Sequence, residues 1–188
     1  MDKILTAANV CARFKLKDDA TQLLREGMDP CEFAIALVEN EMGVDAVKFM
    51  AHALPAKEGI WWGCLCMQHA LGENLSPPDR AAATAAVRWV MQPTEENRAV
   101  AGATAQAAPP PSVAGALATA AFHTSGNIAP PGLPFSKAPE PFAPARAIVL
   151  AVKLASIKTQ ATNIPKIQRA YVELAIQVAQ ARLFRVGE

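Results

Sequence analysis

The stretch "LPAKEGIWWGCLCMQHALG", residues 54–72, packs two adjacent tryptophans, two cysteines, a methionine and a histidine into nine residues. Wound as an α-helix at about 100° per residue, it sets Ile60, Cys64, Met67 and Leu71 on one apolar stripe, which Trp61 and Leu65 widen. Trp62, Cys66 and His69 fall on a neighbouring face. Cys64 and Cys66 then project about 200° apart and cannot grip one ion. A tetrahedral zinc site needs four convergent nitrogen or sulfur ligands, and this helix offers at most Cys66 and His69 on one side. His52, His123, Cys11 and Cys31 show no pairing at ligand spacing. The sulfurs therefore read as core filler, and no metal or cofactor is expected. Adjacent tryptophans point about 100° apart, so burying both takes packing partners on two sides. Either both indoles lie in the core, or Trp62 lines a groove near His69.

Outward from this segment, helix punctuation recurs. Asp29 is placed to cap a helix that begins at Pro30, where a missing N–H costs nothing. "GVDAVKFMAHALP" reads as a shorter helix stopped before Pro55, and Pro55 opens the tryptophan helix, which Gly72 ends. Ser76 caps a helix starting at Pro77, with Asp79 placed for a capping box and Pro93 as the stop. Thr94 caps the next, with Glu95 and Glu96 at the positive end of its dipole. A proline run then leads into an alanine-rich helix ending near His123. Two long helices close the chain, about 145–160 and 164–184, with Asn163 as a cap for the second. No segment alternates with period two long enough to make a strand.

Residues 124–144, "TSGNIAPPGLPFSKAPEPFAP", are a different material, with six prolines and two glycines. Regular structure is excluded there. Ile128, Leu133, Phe135 and Phe142 nevertheless carry more apolar surface than a free linker would, so the segment is expected as a strap lying along the helices. The fold class is all-α: a single-domain bundle of eight or nine helices over residues 18–188, preceded by an N-terminal extension, residues 1–17, and crossed by the strap.

At 188 residues with 52% apolar content but only 6% aromatic, the core must be built from Ala, Val, Leu, Ile and Met. A net charge of +1 supplies no field to recruit nucleic acid or membrane. The charges separate along the chain, however. Residues 1–50 carry nine acids and six bases, whereas residues 145–188 carry seven bases and two acids. Attraction of the two ends within one fold accounts for this, with a docking surface as the alternative. "MDKILTAANVCARF" lacks a secretory leader's basic start and apolar run, and "AIVLAVKLASI" is too short and too charged to span a bilayer. The four cysteines have no disulfide-framework spacing, so a reducing cytoplasmic setting is expected.

For chemistry, "AFHTSGN" sets His123 beside Thr124 and Ser125, without the strand–turn–helix elbow or third orienting acid that nucleophilic catalysis uses. Gly126 and Asn127 suit a left-handed turn, and the turn could bind an anion. There is no phosphate loop, dinucleotide fingerprint or HExxH.

"LPAKEGIWWGCLCMQHA", "PPDRAAATAAVRWVMQPTEENRAVA" and "AAFHTSGNIAPPGLP" running into "FAPARAIVLAVKLAS" together resemble a bacterial domain family of unknown function, over about residues 30–185. Its marks are the Leu-Pro-x-(Lys/Arg)-Glu-x-x-Trp-Trp run, the Arg-Trp-Val segment before a proline and the Ser-Gly-x-(Ile/Leu)-Ala-Pro-Pro-Gly strap. Asn127 stands where that pattern favours a small residue, and a further aromatic near His123 is missing. The resemblance carries no enzyme activity. It implies an accessory role, some members lying beside type VI secretion genes. The leading expectation is a non-catalytic adaptor with a protein partner, through Trp61, Trp62, His69, His123, Ser125, Gly126, Asn127, Pro130, Pro131 and Leu133. The alternatives are a ligand-binding or enzymatic pocket between the tryptophan helix and the strap, and a homo-oligomer built on the alanine-rich helices.

Overall fold

The computed structural model describes residues 5–129, 136–159 and 161–185, with residues 161 and 182–185 by backbone alone. Every regular element among them is helical: α1 Ala7–Cys11, α2 Asp18–Thr21, α3 Pro30–Glu39, α4 Gly43–Ala53, α5 Ala56–Leu71, α6 Pro77–Met91, α7 Glu95–Ala107, α8 Val113–Phe122, α9 Ala143–Thr159 and α10 Ile164–Arg185, with a 3-10 turn at Ala161–Asn163. The protein is all-α. The eight longer helices are those the punctuation predicts; α1 and α2 are added in and beside the stretch set apart as an N-terminal extension. Ala7 and Val10 of α1 are fully buried against the rest of the core.

Local chemistry starts and stops these helices. Asp29 accepts from the N–H groups of Cys31 and Glu32, and Pro30 follows at the first helical position. Ser76 Oγ accepts from Asp79 N–H at 3.3 Å. The Asp79 carboxylate then takes the hydroxyls of both Ser76 and Ser112, tying the start of α6 to the cap of α8. Gly72 ends α5 with φ 53°.

α5 is the hub, packing against α6, α8, α9 and α10. Two glycines on it let neighbours approach closely. A Cβ on Gly63 would overlap Leu117 of α8, and one on Gly59 would stand 2.9 Å from Ile148 of α9. Trp62 is fully buried and its indole N–H donates to the Tyr171 carbonyl at 2.7 Å, joining α5 to α10. Tyr171 returns the link: its hydroxyl donates to the Cys66 carbonyl at 3.2 Å, and lies 2.7 Å from Thr159 Oγ1 and 3.2 Å from His69 Nδ1. The basic C-terminal helix α10 also lies on α3 and α4 of the acidic N-terminal half.

Candidate functional site at the root of the strap

Three chain segments converge where the strap begins and ends. The first is the close of α4, where His52 sits in the last turn and Leu54 turns extended ahead of Pro55. The second is the close of α8. There His123 caps the helix and the Thr124 hydroxyl donates to the Ala121 carbonyl at 2.8 Å. The third is residues 136–142 returning into α9.

Arg98, reaching across from α7, organises the turn. Only 3% exposed, its guanidinium grips Glu95 with two nitrogens, donates to the Phe122 carbonyl at 2.7 Å and stacks over the Phe122 ring. The chain passes this group at Gly126 with φ 74°, where any Cβ would strike the guanidinium. Asn127 then closes the strap at its base. Its Oδ1 accepts from Ala129 N–H at 2.9 Å and Lys137 N–H at 2.8 Å, while Ile128 N–H donates to the Lys137 carbonyl at 2.8 Å.

Two clefts flank this root. One, of about 390 Å³, lies between Arg13, His52 and Leu54 on one side and Ser125, Phe142 and Ile148 on the other. The second, of about 410 Å³, has an apolar floor including Ile128, Ala147 and Leu150, with Lys137 and Arg146 at its edge. His123 and Glu140 line both, so the clefts meet there.

The electrostatics of this region are cationic. His52, 4% exposed, is pushed down to about 4 by burial, then by Lys48, Arg13 and Arg146. His123 is lowered by burial and then by Arg146 and Arg98, with Glu140 opposing. Both rings are neutral at pH 7. Glu140 is occupied by Arg146 at 2.7 Å. Among the described residues no hydrogen bond of the kind a nucleophile and its base share joins Ser125 to His123.

The residues singled out from the sequence separate into groups. His123, Ser125, Gly126 and Asn127 do assemble at the strap root. Pro130, Pro131 and Leu133 lie outside the described residues. Trp62 belongs to the core and offers no surface, whereas Trp61 is 38% exposed. His69 is exposed at the far end of α5, about 20 Å along the helix from Ala56, and takes no part in the cleft. The sulfurs are neutral thiols: burial pushes Cys64 up to about 12 and raises Cys66 as well. Among the described residues no three His, Cys, Asp or Glu side chains cluster to hold a metal ion. Arg13, His52, Arg98 and Phe142 are the contributors that spacing did not identify as site residues. Tertiary packing alone brings them together, and only the apolar Phe142 in a proline-rich strap hinted at it.

No curated protein and no solved structure gives a significant match to the chain. Residues 33–179, a span that takes in α5, the whole strap root except Arg13, and most of α10, match the model of DUF6931, described as a family of unknown function. The protein belongs to DUF6931.

Proposed function

We propose that the protein is a non-catalytic adaptor that grips an acidic, partly apolar segment of a protein partner across the two clefts and along the outer face of α9. The observation that carries this reading is the union of an apolar floor with a cationic rim. Leu150 and Ile157, 53% and 50% exposed, lie on one side of α9 with the half-buried Leu154 between them. That stripe runs out of the second cleft, and Arg146 and Lys153 border it. Contiguous apolar surface edged by charge is the usual signature of a protein-binding face. The basic excess of residues 145–188 makes an acidic partner the matching one. In this reading the protein works in the cytoplasm, and the partner is a component or effector of a bacterial secretion apparatus. Among the described residues no helix is long and apolar enough to cross a membrane.

Photo-crosslinking in the native host tests this, with the reactive group placed at 150, at 157 or, as a control on another face, at Gln106. One protein should crosslink from 150 and 157 alone, through a segment rich in Asp or Glu. The Leu150→Asp and Lys153→Glu variants, both at exposed positions, should abolish it without changing the melting temperature. A crosslinking pattern shared with 106, or one indifferent to these substitutions, would end the proposal.

A further inference from the structure

We propose that the cleft over His52 is a carboxylate-binding subsite, formed by the Arg13 guanidinium, the His52 imidazole and the Ser125 hydroxyl, with Phe142 as its cover. The source of the carboxylate rests on the partner reading above; the subsite itself does not.

Three observations meet here. His52 is 4% exposed, and its Nδ1 is buried without a hydrogen-bond partner, the one such side-chain atom among the described residues. Buried polar atoms are nearly always paired, so an orphan on a side chain that lines a cleft marks the place of a missing group. Phe142 is held at φ 59°, a left-handed backbone that a bulky residue adopts only under constraint. Its ring stands edge-on to His52 at 5.8 Å, with the Arg13 guanidinium 5.6 Å from its centroid, and it is 42% exposed. Backbone strain of this kind gathers at ligand clamps. The third observation is charge. Arg13 donates through Nη1 to the His52 carbonyl at 2.7 Å and has no carboxylate partner among the described residues. Glu140, the one acid lining the cleft, is already engaged by Arg146.

Arg13 is thus the cleft's uncompensated cation, which suits a monoanion better than a doubly charged phosphate. A planar guanidinium fork fits a planar carboxylate. The neutral imidazole supplies one N–H, and Leu54 and Ile148 provide an apolar wall for the carbon chain behind the carboxylate.

The full-length protein at pH 7, labelled for NMR, can be titrated with acetate and with the capped dipeptide N-acetyl-leucyl-aspartyl amide. Saturable shifts are expected at the His52 ring and the Arg13 side chain, while the His69 ring, remote on α5, stays still. Arg13→Gln keeps an N–H donor for the His52 carbonyl and should weaken both probes at least tenfold. Ser125→Ala, at an exposed position, should weaken them a few-fold. Shifts that never saturate, or that persist unchanged in Arg13→Gln, would overturn the subsite. Tighter binding of the dipeptide assigns the carboxylate to a protein. Equal binding of acetate leaves the subsite standing and removes this cleft from the partner-binding face.

Discussion

Neighbouring residues on one helix can have opposite physical roles, and Trp61 and Trp62 make the contrast measurable. The Trp62 side chain is fully enclosed and hydrogen-bonded to α10, so Trp62→Ala empties a large volume and strands a junction between two helices. Unfolding in guanidinium should register a loss of about 3–5 kcal/mol. Trp61 leaves more than a third of its surface in water, and Trp61→Ala should register only about 1–2 kcal/mol. Similar losses for the two would mean that α5 is not seated as described. At this scale the sequence was half legible. Helical winding put the two indoles on different faces, but the choice of which one faces inward depends on Tyr171, more than a hundred positions later. The same limit applies to Gly126. Turn chemistry made its left-handed conformation readable, whereas the reason for it, the Arg98 guanidinium beside it, comes from another helix.

Among the helices, α5 sets how closely the others approach. Gly63 is a position where two general tendencies compete. Alanine is a better helix former than glycine by about 1 kcal/mol, which favours Gly63→Ala. Its methyl would, however, occupy the space of Leu117 in a core with no slack. Overpacking of that kind costs about 1–3 kcal/mol, so the substitution should destabilise on balance, and a rise in melting temperature would refute the close α5–α8 contact. Helix limits were largely readable because caps are local: Asp29 with Pro30, Ser76 with Pro77, and Thr94 all act within three residues. α1 and α2 were not readable. Helices of five and four residues contain too few turns for a period, and the Thr6–Asn9 capping box that starts α1 precedes no long apolar run.

For the molecule as a whole, proton linkage offers a test of the cationic strap root. In the unfolded chain His52 takes up a proton near pH 6.5, but in the fold it does so only near 4. Between those values the unfolded state binds more protons, so stability must fall as the pH is lowered from about 6.5 to about 4. His123, also held low, contributes in the same direction. Denaturation midpoints measured across this window should show the decline, and His52→Gln should flatten it; an unchanged slope would assign the titration elsewhere. The separation of charge along the chain also takes on meaning at this scale. α10 lies on α3 and α4, and Arg169 reaches the Val38 carbonyl, yet among the described residues no ion pair joins the two ends. Their attraction is therefore diffuse and screened by salt. Part of the positive excess, at Lys153 and Lys158 of α9, has no ion pair among the described residues.

The side-chain clamp of Asn127 has a consequence for how this architecture can diversify. Because Oδ1 holds the amides of Ala129 and Lys137 together, the route into α9 is fixed before the intervening chain is counted. Without that side chain both amides lose their acceptor, and ordering the chain ahead of α9 costs more conformational entropy. A chain with a small side chain at position 127 would keep only the Ile128–Lys137 main-chain hydrogen bond across this neck.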